Sequence, residues 1–336
     1  MTARFIKRTF AVAFALVAGV TSAHAQTSIL NASYDVSREL YKDINPAFVS
    51  AWKEKTGQTV SVNQSHGGSS KQALAVLNGL EADVVTMNQA TDIDVLVEKG
   101  KLIQPDWRKK FPHGASPYTT TTVFLVRKGN AKKIKDWSDL IRDDVEVIVP
   151  NPKTSGNGRY TYLAAWGDAK LKGADDAAAR AFVTKLFKNV PVLDGGGRGA
   201  TTTFTQHNVG DVLVTFENEA ILIGNELGTD KFDVVYPSTS VEAAPPVAVV
   251  DKVVDKNGTR EVAVGYLDYL FTPPAQEIIA KHNFRPRDEA VLAKNASKFP
   301  GIKTFDVEEL LGPWKEVQKT HFDSGGVFDQ ISAGKS

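Results

Sequence analysis

The sequence predicts an α/β fold with two domains, and three observations carry that expectation. Short apolar runs alternate with helical patterns, which indicates a largely parallel sheet. Gly- and Ser-rich loops join strand to helix again and again. Two stretches, Tyr118 to Lys128 and Glu242 to Val250, read as crossings of the chain between domains, which makes a hinge of two strands.

In chain order, Met1 to Ala25 has a basic start, an apolar run from Phe10 to Val20 and an Ala-x-Ala end. This is the pattern of a secretory signal peptide, with Gln26 as the expected first residue of the mature chain. The apolar run is too short to span a membrane. Ile29 to Tyr34 is the expected first strand, and Asp35 or Ser37 the cap of the next helix. That helix shows Leu40, Tyr41, Ile44, Phe48, Ala51 and Trp52 at helical spacing and stops at Gly57. Pro46 inside it predicts a kink or break. Thr59 to Gln64 alternates as a strand. Ser69-x-x-Gln72 has the form of a capping box and sets the next helix start at Ser69. Ala82 to Met87 reads as a strand and Asp92 to Lys99 as a short helix. Val147 to Pro150 is an apolar strand. Asn151-Pro152-Lys153-Thr154-Ser155-Gly156-Asn157-Gly158 is a tight loop into a helix continuing through Leu163 and Trp166.

The 336 residues contain no cysteine, which excludes disulfides and thiolate metal sites. Three of the 40 basic residues and none of the 39 acidic ones lie in the leader. The near-neutral balance that remains is not that of a nucleic-acid binder. The histidines after the leader, His66, His113, His207, His282 and His321, show no zincin spacing. Gly156-x-Gly158 and Gly197-x-Gly199 have Thr161 and Thr202 where a dinucleotide fingerprint requires a third glycine. No Gly-Lys-Ser/Thr completes a nucleotide phosphate loop. Asp323-Ser324-Gly325-Gly326 echoes a serine-protease fragment but reads as a turn.

Four strand-to-helix loops share one design: Ser33-Tyr34-Asp35, Gly67-Gly68-Ser69, Lys153-Thr154-Ser155-Gly156-Asn157 and Asp194-Gly195-Gly196-Gly197-Arg198-Gly199. Helix starts carry unpaired N–H groups and the positive end of the helix dipole, so an oxyanion is their natural guest. Open α/β sheets bind ligands beyond the carboxyl ends of their strands. If the Ser69 hydroxyl is committed to its own helix as a cap, only its N–H faces a ligand. Arg159 and Arg198 either neutralise the anion directly or pair with acids behind it.

These loops, with Gln64-Ser65-His66-Gly67-Gly68-Ser69, Gly210-Asp211-Val212-Leu213-Val214-Thr215-Phe216-Glu217, Pro245-Pro246-Val247 and His321-Phe322-Asp323-Ser324-Gly325-Gly326, resemble the periplasmic sulfate/thiosulfate-binding proteins of ABC importers, over essentially all of Ile29 to Ile331. The resemblance implies the type II periplasmic binding fold, two α/β lobes with a two-strand hinge and a dehydrated anion in the cleft. Its expected domains are a signal peptide at 1–25, one lobe from 26–117 and 247–300, a second from 118–246, and a C-terminal segment at 301–336 packing back on both.

The same resemblance implies an anion held by the N–H groups of Asp35, Ser69, Gly156, Asn157 and Gly197 and the hydroxyl of Ser155. Phe216 stands where the sulfate-binding branch has a Trp that donates an indole N–H; the thiosulfate-binding branch is the nearer match. Tyr34, His66, Gly68, Arg159 and Arg198 are expected to support these groups. The implied protein is a monomeric periplasmic capture protein, without cofactor, metal or enzymatic activity, that delivers sulfate or thiosulfate to permease subunits. A donor-only pocket rejects hydrogen phosphate, whose proton finds no acceptor, provided that no carboxylate reaches the site. The competing reading is a phosphoryl- or sulfuryl-ester hydrolase using Ser155 as nucleophile.

Overall fold

The computed structural model describes residues 27–228 and 230–334; the leader reading lies outside these residues. The first sheet is built early in the chain. Strand β1 (Thr27–Tyr34) leads through a short turn into helix α1 (Arg38–Thr56), followed by β2 (Val60–Gly67), α2 (Ser69–Leu77), β3 (Val84–Thr86) and α3 (Ala90–Glu98). β1 pairs in parallel with β2 on one side and β3 on the other. Parallel neighbours need a crossover, and the intervening helices supply it.

Helix α1 buries Leu40, Tyr41, Ile44, Phe48 and Trp52 and ends at Gly57, whose φ of 76° lets its N–H reach the Lys53 carbonyl at 2.8 Å. It is a single helix, so the expected break at Pro46 is absent. Pro46 and Lys42 lie on the exposed face, where the carbonyl deprived of its partner meets water while the apolar stripe stays buried. The capping box at Ser69 does not form either. Gly68 occupies the cap position, Ser69 is the first helical residue, and Gln72 Oε1 accepts from Ser65 Oγ at 3.1 Å.

After the single turn α4 (Pro112–Ala115), the long strand β4 (Tyr118–Arg127) enters a second sheet. The chain continues through β5 (Val147–Pro150), α5 (Gly156–Leu171), α6 (Asp176–Lys188), β6 (Leu193–Asp194), α7 (Gly197–Thr205), β7 (Val212–Phe216), α8 (Glu217–Leu227), β8 (Phe232–Val235) and β9 (Ser240–Ala243). The chain then returns to the first sheet as β10 (Val247–Val249), antiparallel to β3. The second sheet is mixed rather than largely parallel. β5 is parallel to β6 and β7, whereas β4 is antiparallel to β7, β8 and β9.

Two strand crossings were expected, and the structure adds a third connection. Past β11 (Arg285–Pro286), which pairs with the start of β4, the chain reaches β12 (Thr304–Phe305), parallel to β9. The residues beyond it pack on α5: the Phe322 and Phe328 rings stand 5.1 and 6.2 Å from that of Tyr162. The same segment reaches the first sheet's helices through Lys315–Glu98 at 2.8 Å, and the preceding loop through Arg108–Glu308 at 3.2 Å.

Candidate functional site

The C-terminal ends of β1, β2, β3, β5 and β6 bring their loops together between the two sheets. In the β5–α5 loop, Asn151 organises the turn. Its carbonyl accepts from Ser155 N at 2.9 Å, and its Oδ1 accepts from Lys153 N at 2.9 Å. Ser155 is then the N-cap of α5, with its Oγ accepting from Gly158 N at 3.4 Å. That bond uses an oxygen lone pair and leaves the hydroxyl hydrogen available. The N–H groups of Gly156 and Asn157, at the first turn of a sixteen-residue helix, have no acceptor among the described residues. Ser155 and Asn157 are at most 2% exposed, and Gly156 is buried between them.

The loops of the two sheets are in contact. A Cβ added to Gly68 would lie 2.5 Å from the Thr154 carbonyl oxygen, and one added to Gly156 would lie 2.3 Å from Asn88 Cβ. Only glycine permits these approaches. Gln89 Nε2 donates to the Gly156 carbonyl at 3.3 Å, and Arg198 N, in the first turn of α7, donates to Asp35 Oδ2 at 3.2 Å.

Both arginines are engaged with acids. Arg159 Nη1 donates to Asp92 Oδ1 at 3.1 Å and Gln89 Oε1 at 3.0 Å, and its Nε donates to the Pro152 carbonyl at 3.1 Å. Arg198 pairs with Glu39 through Nη2, and its Nε lies 3.3 Å from Glu219 Oε1. Glu219 is fully buried, and that burial pushes its carboxyl up to about 7 against the opposing pull of Arg198.

The Ser69 hydroxyl is committed, though to a different partner than its own helix. It donates to Asp92 Oδ2 at 2.5 Å and accepts from Asn88 N at 2.9 Å. Ser70 Oγ donates to the other Asp92 oxygen at 2.9 Å. Only the Ser69 N–H remains for a guest. His66 Nδ1 and Ser33 Oγ are 2.5 Å apart, and burial, reinforced by the Arg38 charge, lowers the imidazole to about 4. The Tyr34 hydroxyl meets that of Tyr118 at 3.2 Å in full burial. Phe216 is fully buried with its ring 5.8 Å from that of Tyr160. It ends β7, directly after Thr215, whose Oγ1 accepts from Asn157 Nδ2 at 3.1 Å.

One premise of the sequence reading is corrected. A carboxylate does reach these loops: Asp35 binds the start of α7, and burial raises its pKa, partly offset by the Arg198 N–H, its own N–H and that of Val36. Glu217 instead turns away, clasped by Arg285 at 2.7 and 2.8 Å. Rejection of hydrogen phosphate through a purely donor lining therefore does not follow from this geometry.

Sequence reasoning missed Asn88, Gln89 and Asp92. Asp92 lies in the first turn of α3, and Asn88 and Gln89 lie in a fifth strand-to-helix loop, Met87-Asn88-Gln89, that has no glycine or serine to flag it. Its position after an apolar strand was the available signal. Among the described residues no cluster of His, Asp and Glu could hold a metal ion, and no helix is long and apolar enough to cross a membrane.

Comparison with known proteins places this arrangement. The profile of the bacterial extracellular solute-binding proteins matches residues 32–285. The chain is 56% identical to the thiosulfate-binding protein of Pseudomonas aeruginosa, over 97% of this chain and 99% of that one. It is 53% identical to the sulfate-binding protein of Escherichia coli K12, over 94% and 96%. Its fold superimposes on the sulfate-binding protein SubI of Mycobacterium tuberculosis with a TM-score of 0.80 at 33% identity, covering 89% of this chain and all of that one. A periplasmic thiamin-binding protein shares the fold alone, with a TM-score of 0.66 at 17% identity. The chain belongs to the bacterial extracellular solute-binding proteins, in the group that includes the sulfate- and thiosulfate-binding proteins.

Proposed function

We propose that this protein captures thiosulfate, sulfate or both in the periplasm and presents the anion to the permease subunits of an ABC importer, acting as a monomer and not as an enzyme. The observation that carries the reading is the start of α5. Two unpaired N–H groups and an available Ser155 hydroxyl converge there, while Arg159 and Arg198 are already neutralised by acids. Fixed amide dipoles stabilise a bare dianion with little reorganisation. The relatives' names support sulfur oxyanions as the guest class, and the P. aeruginosa relative favours thiosulfate.

In this reading the first lobe comprises 26–117 and 247–300, the second 118–246, and the segment from 301 braces both. The anion contacts are the N–H groups of Asp35, Ser69, Gly156, Asn157 and Gly197 and the hydroxyl of Ser155, with Phe216 closing the pocket. Contacts made only when the walls meet favour closure, and the closed form is what a permease reads. Against Ser155 as a nucleophile stands its surrounding: its oxygen accepts from a backbone N–H, and no side-chain base bonds to it among the described residues. Calorimetric titration of the purified mature protein with thiosulfate, sulfate and phosphate tests the proposal. Uptake of a sulfur oxyanion, with thiosulfate tighter, supports it; heat from neither sulfur oxyanion sinks it.

A further inference from the structure

The carboxamide of Asn157 carries an unexplained feature. The residue is 1% exposed, and its Oδ1 is buried without a hydrogen-bond partner among the described residues. Its Nδ2 donates to Thr215 Oγ1 at 3.1 Å and lies 3.4 Å from where a Cβ on Gly197 would stand. The carboxamide therefore sits between the starts of α5 and α7, held at one end and open at the other. A buried carbonyl without a donor is costly, so native structures rarely keep one unless something absent completes it.

Half a turn about the Cβ–Cγ bond exchanges the two ends. The Thr215 hydroxyl then donates to Oδ1, and the NH2 group takes the open position. With no guest, one end is unpaired in either orientation. An oxyanion at the α5 start satisfies the second orientation alone, because it offers acceptors and no donors. We infer that the Asn157 side-chain amide is a direct ligand of the anion, a donor in addition to the residue's own backbone N–H, and that it adopts the turned orientation when the site is filled. The inference rests on the proposed oxyanion function and adds a side-chain contact to it. It makes the residue a determinant of affinity at a position where the backbone donor alone would be served by any residue but proline.

The test compares wild type, Asn157→Ala and Asn157→Asp by calorimetry with thiosulfate and with sulfate at pH 8. It adds the side-chain 15N–1H2 resonances of the wild type, assigned to Asn157 by their loss in the alanine variant. Losing a hydrogen bond to a charged group predicts that Asn157→Ala binds about 10- to 100-fold more weakly. Asn157→Asp keeps the shape and the Thr215 bond but turns a like charge to the anion, and is expected to bind at least about 100-fold more weakly. The Asn157 NH2 signals are expected to move downfield on saturation with thiosulfate. Wild type that binds while Asn157→Ala binds within twofold of it, or whose Asn157 NH2 signals stay in place at saturation, overturns the side-chain contact and leaves the function standing. Wild type that binds neither anion overturns both. Should Asn157→Asp fail to fold, the alanine variant and the resonances decide alone.

Discussion

The ion pair between Asp92 and Arg159 joins the two walls of the cleft, and its removal gives the most quantitative prediction. Asp92 is 3% exposed and Arg159 6%, so neither charge is repaid by water. In Asp92→Ala the guanidinium keeps neutral acceptors alone, the Gln89 oxygen, the Pro152 carbonyl and, at 3.4 Å, the Thr91 hydroxyl. The Ser69 and Ser70 hydroxyls lose their acceptor at the same time. Leaving a buried partner charge uncompensated costs about 3–5 kcal/mol. At roughly 2 cal/mol/K of unfolding entropy per residue, a chain this long loses about 1.5 °C per kcal/mol, so the melting midpoint falls by about 5–8 °C. Arg159→Met in the same background removes the stranded charge and is expected to recover part of the loss, because residues in contact couple by about 0.5–3 kcal/mol. Thermal unfolding followed by circular dichroism on the four proteins of the double-mutant cycle reads both numbers. An Asp92→Ala midpoint within 1 °C of wild type, or a double variant whose losses simply add, refutes the reasoning.

Other outcomes follow from the same geometry. Ser155→Ala is expected to weaken thiosulfate binding by about 10- to 100-fold in calorimetry, while loss of its cap on α5 lowers the melting midpoint of the empty protein by about 1–3 °C; equal affinity removes the hydroxyl from the contact set. Gly156→Ala places a methyl 2.3 Å from Asn88 Cβ, so the walls cannot meet, and small-angle scattering with saturating anion should show no compaction; compaction equal to wild type contradicts the closed contact. Glu219 has a folded pKa of about 7, above its unfolded value, so its stabilising contribution is complete below pH ~4.5 and is lost as pH rises through 7. Glu219→Gln should therefore flatten the decline in stability between pH 5 and 8 measured by urea unfolding; an unchanged slope refutes the assignment.

The repeating strand-to-helix rhythm was legible because Ile29-Leu30, Val84-Val85 and Val147-Ile148-Val149 are short apolar runs, Val60 and Val62 alternate, and each leads into a helical pattern. The start of α5 was legible for a related reason: a Pro- and Gly-punctuated loop with Ser155 at the cap position leaves little freedom in how the backbone turns. Tertiary facts were not. That Arg159 reaches Asp92, and Arg198 reaches Glu39 and Glu219, depends on which helices face each other across the cleft, and local spacing does not contain that information. Pro46 does not break its helix because it lies on the exposed face, where the carbonyl it leaves without a partner can meet water. The Ser69–Gln72 pair misled because the Ser69 hydroxyl donates to Asp92, twenty-three residues on, and accepts from the Asn88 N–H rather than from its own helix. The long β4 strand was read as a crossing, but its antiparallel pairing with four later strands was not, since sheet order is set by packing of distant segments.

The central claim is that main-chain amides and one hydroxyl at the start of α5, not arginine side chains, hold the anion. A crystal structure of the thiosulfate-saturated protein tests it most directly. The account predicts the anion within about 3 Å of the Gly156 and Asn157 nitrogens and Ser155 Oγ, with Arg159 still on Asp92 and Arg198 still on its two glutamates. A guanidinium from either arginine gripping the anion would contradict it.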